Sequence, residues 1–218
     1  MIGDSMAAPR LGLAVSTYQR LLARWWPGGE PRPGVLPRLF ARAISARVRR
    51  LARRQDVRFP QRAIGGWYWI DRFRFELLAG WFEAESVLWC RQLLAPGMVA
   101  VDVGAHSGYY ARLFSRLVGP RGRVLAFEAE ADNFAVTRHN TAALRVETFH
   151  CALGDREGEL PLYVSPGNSN HSLVAGYTAA TETRTVAVRT LDAVAREHGV
   201  ERVDLVKIDV EGAELRVL

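Results

Sequence analysis

An acidic residue and two glycines interrupt an apolar run near the middle of the sequence. Asp102 lies in "MVAVDVG", and Gly104 and Gly108 bracket the motif "GAHSG" that follows it. A buried strand that ends in a glycine turn and leads into a helix is a recurrent ligand site, because the glycines let a ligand approach the backbone and the helix offers free N–H groups. The dinucleotide form requires G-x-G-x-x-G. A carboxylate just before the turn would repel a pyrophosphate and instead suits a ligand with a cationic end.

A second acidic residue, Glu128, ends the next apolar run, "RVLAFE". A carboxylate at the end of a second strand suits the two hydroxyls of a ribose, because it accepts two hydrogen bonds at once. Together with Asp102 it indicates an adenosine that carries a cationic tail, a description that fits S-adenosylmethionine. The alternative is that Asp102 and Glu128 only cap the ends of their strands.

Asp102 and Glu128 can contact the same ligand only if the strands that carry them end at the same edge of a parallel sheet. Helical patterns follow the apolar runs, one in "GYYARLFSRLVG" and one at 131–144 with Asp132 as the predicted N-cap. Two further strands, "LPLYVS" and "TRTVAVRT", flank a polar loop. The alternation of strands and helices predicts the α/β class with a parallel sheet. The predicted strands of that sheet cover 98–104, 123–128, 146–153 and 203–210.

The chain divides by charge and by pattern into three segments. Residues 1–64 are predicted to form a basic helical N-terminal extension, 65–97 an aromatic-rich segment with a helix that leads into the core, and 98–218 the ligand-binding domain. Residues 1–91 carry a net charge of +9, whereas 92–218 carry −3. The basic part could face an anionic membrane surface, and the net negative charge of the domain disfavours nucleic acid as its partner. The alternative is that the basic helices pack against the domain and expose their arginines to solvent.

The cellular location is predicted from the absence of export and membrane signals. We find neither a signal peptide nor an apolar run that approaches the ~20 residues of a membrane span. Cys90 and Cys151 are then expected to be free thiols and not a disulfide. The predicted location is cytoplasmic, with peripheral membrane contact through the basic helices as an added expectation.

Three blocks of the sequence resemble the FkbM-type family of S-adenosylmethionine-dependent methyltransferases. They read "VAVDVGAHSGYYARLFSRLVGPRGRVLAFEAEADNF", "CALGDREGELPLYV" and "VDLVKIDVEGAELRVL", and the resemblance covers roughly residues 80–218. It implies the class I methyltransferase fold, which is Rossmann-like, and an enzyme that methylates a hydroxyl of a sugar, glycan or secondary metabolite. The glycine loop of the family often reads "GANIG", so this chain departs from it at His106 and Ser107.

The resemblance also implies roles for individual residues. Glu128 would hold the ribose, and Asp102 would organise the glycine loop or reach the methionine amine. Ala152 and Leu153 would contact the adenine through backbone and apolar surface. The residues expected to contact the cofactor are Asp102, Gly104, Ala105, His106, Gly108, Tyr109, Glu128, Ala152 and Leu153.

Three residues are candidates for catalysis. Methyl transfer to oxygen needs the acceptor and the methyl group in line at about 3 Å, and a base that takes the hydroxyl proton. By the resemblance, Asp209 would face the methyl-transfer site, and Glu211 and His171 are the other candidate bases. The alternative for His171 is an exposed histidine in the polar loop. Asp209 and Glu211 do not form the full oxygen cage of a divalent cation, and we predict no metal site.

The resemblance implies seven strands in the order 3-2-1-4-5-7-6, of which the sequence supplies the first four. We therefore expect a C-terminally incomplete domain that is unstable or inactive alone, because the fourth strand would form an apolar edge. Two other functions stay open. One is a non-catalytic basic module that docks on a membrane or nucleic acid. The other is an NAD-type Rossmann enzyme, which the missing third glycine disfavours.

Overall fold

A computed structural model of the chain divides it into two compact units, Met1–Gln92 and Leu93–Leu218. In the first unit, strands β1 (Val57–Pro60) and β2 (Trp67–Ile70) form an antiparallel pair. Helix α1 covers Ala84–Leu93. The structure describes residues 57–60, 67–70, 82–166 and 170–218.

Strand β1 lies inside the segment that the sequence predicts as a helical extension. Its sequence, VRFP, combines a β-branched and an aromatic residue and ends in proline, a composition that favours a short edge strand over a helix. The basic helices predicted for the extension before it, and the membrane contact predicted for them, lie outside the described residues. No helix in the described part of the chain has the length and hydrophobicity that a membrane span requires.

The second unit is built on a parallel sheet of four strands. They are β3 (Val99–Val103), β4 (Arg123–Phe127), β5 (Val146–Phe149) and β9 (Leu205–Ile208). The strands lie in the order β5-β4-β3-β9, and each pair of neighbours is parallel. This is the order 3-2-1-4 of the first four strands of the class I methyltransferase sheet, so the predicted α/β class and parallel sheet are confirmed.

Two helices follow the central strands. Helix α2 (Tyr109–Val118) follows β3, and helix α3 (Ala131–Thr141) follows β4. The N-cap of α3 is Glu130, whose side chain accepts a hydrogen bond from the backbone N–H of Asn133 at 2.8 Å. The prediction of Asp132 as N-cap is therefore wrong. Asp132 lies in the first turn, where a carboxylate is favoured by the helix dipole without capping the helix.

The core of this unit explains why the central strands read as continuous apolar runs. Both faces of a parallel sheet are normally covered, so side chains that point to either face are buried. In β3 and β4 every residue after the first is buried, and helix α2 contributes Leu113 and Phe114, which are 1% and 0% exposed. One core cluster contains Val101, Val103, Leu125, Phe127, Cys151, Leu153 and Val194.

A second, three-stranded sheet contains β6 (Ala152–Leu153), β7 (Gly158–Val164) and β8 (Glu182–Arg189). Strand β8 pairs in parallel with β6 and antiparallel with β7. The single strand predicted over 146–153 is therefore wrong. The chain leaves the first sheet after Phe149, because its neighbour β4 ends at the same level and the next backbone groups find their partners on β8.

Two short helices complete the second unit. Helix α4 (Leu191–Glu197) begins at the N-cap Thr190, whose side chain accepts the N–H of Ala193 at 3.2 Å. Helix α5 (Glu214–Val217) follows β9. The polar loop between β7 and β8, described from residue 170 onward, lies beside the turn that connects β9 to α5.

Candidate functional site

Residues 104–108, which we call the glycine loop, connect β3 to α2 at the carboxyl edge of the parallel sheet. The backbone N–H groups of Gly104 and Ala105 donate to the carbonyl oxygen of Phe127 at 3.0 and 2.9 Å. Within the loop, Gly108 donates to the carbonyl of Ala105 at 2.7 Å. The loop is therefore a closed turn that is tied to the end of the neighbouring strand β4.

Gly104 marks the point at which two strand ends come together. Its φ is 77°, and a Cβ atom there would lie well inside 3.0 Å of the carbonyl oxygen of Asp209. The N–H of Asp209 donates to the carbonyl of Val103 at 3.0 Å. The sequence indicated a glycine that lets a ligand approach, and the structure adds a second reason: the end of β9 already occupies the space that a side chain would need.

Helix α3 holds the glycine loop from the other side. The hydroxyl of Thr137 donates to the carbonyl of His106, and the side-chain amide of Asn140 donates to the carbonyl of Ser107 at 2.8 Å. The side chains of His106 and Ser107 lie within hydrogen-bond distance of each other, with 3.1 Å between Nδ1 and Oγ. These two residues are where the loop departs from the usual family sequence, and both are held through backbone carbonyls that any residue provides.

Glu128 joins the two loops at the ends of β3 and β4. Its Oε2 accepts a hydrogen bond from the backbone N–H of His106 at 2.6 Å, and its Oε1 accepts one from the N–H of Glu130 at 2.8 Å. The residue is only 8% exposed. Each carboxylate oxygen has two lone-pair sites, so these two bonds leave acceptor capacity on both oxygens for the hydroxyls of a ribose.

Burial raises the pKa of Glu128 to about 7, although the backbone N–H groups of Glu130 and His106 favour the ionised form. The nearby carboxylates of Glu130 and Asp102 raise the pKa further. A carboxyl group with an ordinary pKa near 4.5 therefore titrates close to neutral pH in the folded chain. This makes Glu128 a perturbed titratable group at the edge of the sheet where ligands bind, as is typical of functional sites.

The raised pKa of Glu128 predicts how stability depends on pH. Between about pH 4.5 and about 7 the folded chain binds more protons at this residue than the unfolded chain, so its contribution to stability falls as the pH rises. We expect the free energy of unfolding of the wild type to fall relative to that of Glu128→Gln across this interval. Urea unfolding of both proteins at about pH 5 and about pH 8 measures the difference. An equal pH dependence of the two proteins would contradict the assignment.

Asp102 is fully buried beside the glycine loop, and its carboxylate has partners within the protein. Its Oδ2 accepts the backbone N–H of Ala111, in the first turn of α2, at 2.9 Å. Its Oδ1 lies 3.9 Å from the ammonium nitrogen of Lys207, which is its register partner on β9. The structure thus gives Asp102 a cationic neighbour from its own chain. That neighbour weakens the argument from sequence that this carboxylate requires a cationic ligand.

Asp209 and Glu211 lie at the end of β9 but face different partners. The carboxylate of Asp209 lies 3.1 Å from the ammonium of Lys207, and its side chain is 52% exposed. Glu211 has a φ of 54°, and its backbone carbonyl accepts the hydroxyl of Ser172 at 2.6 Å. Asp209 is therefore the accessible carboxylate next to the glycine loop. Among the described residues, no group of three His, Cys, Asp or Glu side chains could hold a metal ion.

The polar loop between β7 and β8 docks on the turn after β9. Ser172 is buried and pairs with Tyr163 by two backbone hydrogen bonds of 2.8 and 3.1 Å. The ring of Tyr177 packs over Gly212, where a Cβ atom would lie 2.7 Å from the ring. The phenol of Tyr177 is hydrogen-bonded to the side chain of Glu211, and the charge of that carboxylate raises the pKa of Tyr177. The two loops thus form one wall beside the end of β9.

His171 lies in the same polar loop but has other neighbours. Its Nδ1 accepts the backbone N–H of Ser165 at 3.1 Å, so in the neutral ring the proton is on Nε2. Burial lowers the pKa of His171, and among nearby charges Glu130 opposes this and Arg184 adds to it. The lone pair that a general base needs is thus already engaged, which favours a structural role for His171.

The remaining candidates for cofactor contact are buried. Ala105 and Tyr109 are 5% and 4% exposed, and Ala152 and Leu153 are 9% and 2% exposed. The latter two form β6 and pair with β8, so their backbone groups are partly committed to the second sheet. The structure therefore brings Asp102, the glycine loop, Glu128 and Asp209 to one edge, with His171 and Glu211 on the polar-loop side.

Two charged residues at this edge of the sheet, Glu130 and Lys207, are not predicted from the sequence. Glu130 is 1% exposed, and besides capping α3 it accepts a charged hydrogen bond from Arg184 of β8 at 2.5 Å. Lys207 lies between Asp102 and Asp209. Glu130 had a signal, because it comes two residues after Glu128. Lys207 had one too, because it is the only lysine in the chain and is flanked by apolar residues.

Comparison with known proteins identifies relatives of this region. The profile of the Methyltransferase FkbM domain matches residues 102–218. The chain is 30% identical over 139 residues to 2-O-methyltransferase NoeI of Sinorhizobium fredii (strain NBRC 101917 / NGR234), covering 56% of this chain and 57% of that protein. It is 33% identical over 157 residues to 31-O-demethyl-FK506 methyltransferase FkbM of Streptomyces tacrolimicus, covering 57% of this chain and 60% of that protein.

A solved structure also resembles the chain. It is that of Methyltransferase FkbM from Methylobacillus flagellatus KT, with a TM-score of 0.37 and 14% identity over 83% of this chain and 44% of that one. The chain spans less than two thirds of the length of each of these relatives.

Proposed function

Because this chain belongs to the FkbM methyltransferase domain family, we propose that it acts as an S-adenosylmethionine-dependent O-methyltransferase. The observation that carries the proposal is the position of Glu128, whose carboxylate lies at the end of β4 and holds the glycine loop through the N–H of His106 at 2.6 Å. One residue thereby connects the ribose site to the loop that surrounds the rest of the cofactor. A carboxylate in this place suits the two hydroxyls of an adenosine.

The other residues of this edge fit the same ligand. The glycine loop and the N-terminus of α2 provide the backbone surface, and Asp102 fixes the first turn of α2 through the N–H of Ala111. Asp102 then acts by holding the loop in place, since its side chain has no exposed surface. Ala152 and Leu153 offer an apolar strand beside the adenine position. When bound, S-adenosylmethionine supplies an electrophilic methyl group on a sulfonium.

Asp209 is the candidate that the geometry favours for the acceptor side. Its carboxylate is exposed, and its backbone contacts Val103 and closes on Gly104, so it lies directly beside the glycine loop. A carboxylate there can accept the proton of an attacking hydroxyl as the oxygen forms its bond to carbon. Its second role is to orient that hydroxyl, which reduces the entropic cost of bringing the two reactants into line.

The acceptor that we propose is a hydroxyl of a glycan or a secondary metabolite. Support comes from the relatives named 2-O-methyltransferase NoeI and 31-O-demethyl-FK506 methyltransferase FkbM, whose names both specify an oxygen position. The wall formed by Ser172, Tyr177 and Glu211 lies beside the turn after β9, and we place the acceptor against it. Of these three residues Tyr177 is exposed, and its phenol and the carboxylate of Glu211 are groups that can bind further hydroxyls, whereas Ser172 is buried and holds the wall together.

Calorimetry with S-adenosylmethionine and with NAD, each titrated into the purified protein, tests the proposed cofactor. We expect saturable binding of S-adenosylmethionine and none of NAD, because the glycine loop lacks the third glycine of the pyrophosphate site. Binding of NAD alone would support a Rossmann dehydrogenase instead. Transfer of a labelled methyl group to a panel of glycans and hydroxylated small molecules then identifies the acceptor class.

A further inference from the structure

Lys207 lies at the centre of a charged group with Asp102 and Asp209, and the proposed chemistry gives this lysine no role. Its ammonium nitrogen is 3.1 Å from the carboxylate of Asp209 and 3.9 Å from that of Asp102. It also lies 4.9 Å from the centre of the Tyr110 ring, within the range of a cation–π contact. The lysine side chain is only 18% exposed. A partly buried ammonium with three such neighbours has a defined position and not a solvated one.

The three charges differ in their access to the site. Asp102 is 0% exposed, whereas the side chain of Asp209 is 52% exposed. Lys207 cancels one of the two negative charges, so the group as a whole carries a single negative charge when both carboxylates are ionised. Because Asp102 is buried whereas Asp209, whose backbone closes on Gly104, has a half-exposed side chain, the accessible negative charge of the group is that of Asp209.

We propose that Lys207 is a positioning residue that sets the charge presented to the sulfonium end of the cofactor. It neutralises the buried carboxylate of Asp102 and holds that of Asp209 beside the glycine loop, so that the site presents one negative charge instead of two. This inference rests on the proposed function, since it presupposes a sulfonium cofactor. It concerns the relative affinity of the site for the cationic cofactor and for its demethylated product, S-adenosylhomocysteine, whose sulfur is neutral.

The ratio of the two dissociation constants measures this balance. Lys207→Met removes the positive charge while keeping an unbranched side chain, and it leaves two negative charges near the sulfur position. We expect this variant to shift the ratio about fivefold in favour of S-adenosylmethionine at low ionic strength, where charge interactions are least screened. Asp209→Asn is expected to shift the ratio by a similar factor in the opposite direction. A merely structural role would weaken both ligands equally and leave the ratio unchanged.

Two further variants serve as controls. Arg202→Met removes a cation near the start of β9, where Arg202 is 79% exposed and pairs with Asp204, and it should leave the ratio unchanged. The double variant Asp102→Asn/Lys207→Met restores the net charge of the group and should return the ratio to the wild-type value. The amide oxygen of the introduced asparagine can still accept the N–H of Ala111, so the first turn of α2 keeps its partner.

The outcomes separate this inference from the proposed function. A wild type that binds both ligands, with a ratio that neither Lys207→Met nor Asp209→Asn changes, overturns the inference and leaves the proposed function standing. If Lys207→Met fails to fold, Asp209→Asn decides alone, since its side chain is half exposed. A wild type that binds neither ligand overturns the proposed function and the inference with it.

Discussion

Glu128→Gln is expected to weaken the binding of S-adenosylmethionine by about tenfold to a hundredfold at about pH 8, where the wild-type carboxyl group, with a pKa of about 7, is mostly ionised. This is the range for a lost hydrogen bond to a charged group. Both oxygens of Glu128 accept backbone N–H groups, those of His106 and Glu130. Glutamine has one oxygen, so one of these two donors must face the amide NH₂ and loses its acceptor. The ribose hydroxyls lose the negative acceptor at the same time.

Calorimetry with S-adenosylmethionine on the wild type and the variant measures this effect. The matched control is Glu147→Gln, which removes a carboxylate from β5 that pairs with Arg123 and His198. Glu147 follows the first residue of its strand, away from the carboxyl edge, so its loss should leave the affinity unchanged. Equal affinities of Glu128→Gln and the wild type for S-adenosylmethionine would contradict the role of Glu128 on which the proposed function depends.

Gly104→Ala is expected to destabilise the chain by about 4 kcal/mol or more, in the range where a single substitution has a specific structural cause. The new Cβ would overlap the carbonyl oxygen of Asp209, and the φ of 77° is a conformation that alanine avoids. This overlap can be relieved only if β3 and β9 move apart at their carboxyl ends. The hydrogen bond from Asp209 to Val103 would be lost with that movement, and the glycine loop with it.

Gly119→Ala separates the two contributions to the loss of stability expected for Gly104→Ala, which are the steric overlap and the positive φ. Gly119 also has a positive φ, 64°, but no atom lies within 4 Å of the position that a Cβ would take. Its ψ of −166° places it in a backbone region that is nearly restricted to glycine, so Gly119→Ala should lose only that conformational cost, about 1–3 kcal/mol. Urea unfolding of both variants gives the comparison. Similar losses in the two would show that the end of β9 does not press on Gly104, contrary to the structure.

The central sheet could be predicted because its physical signals are local and strong. Strands β3 and β4 are buried on both faces and therefore appear as apolar runs, and each ends at an acidic residue or a glycine where the buried run stops. Asp102 and Glu128 could be singled out for the same reason, since a carboxylate next to a buried strand needs a partner. The pattern of these two strands was sufficient to place both carboxylates at the carboxyl edge of the sheet.

The features that could not be predicted depend on partners distant in sequence. Nothing local separates residues 146–149 from 152–153, and the break between them follows from where β4 ends and β8 begins to pair. Glu130 caps α3 instead of Asp132, and it also binds Arg184, 54 residues away. The partner of Asp102 is likewise remote, because Lys207 comes next to it only when β9 pairs with β3.

The pairing of β3 with β9 has a consequence for the order of events during synthesis. Strand β9 arrives about a hundred residues after β3, as the hydrogen bond between Val99 and Asp204, 105 positions apart, illustrates. At roughly 5–20 residues per second, the strand that closes on Gly104 leaves the ribosome many seconds after the glycine loop itself. Strands β3, β4 and β5 can pair before then. During that interval Glu128 can already lie next to the glycine loop of the nascent chain, whereas Lys207 is not yet paired with Asp102.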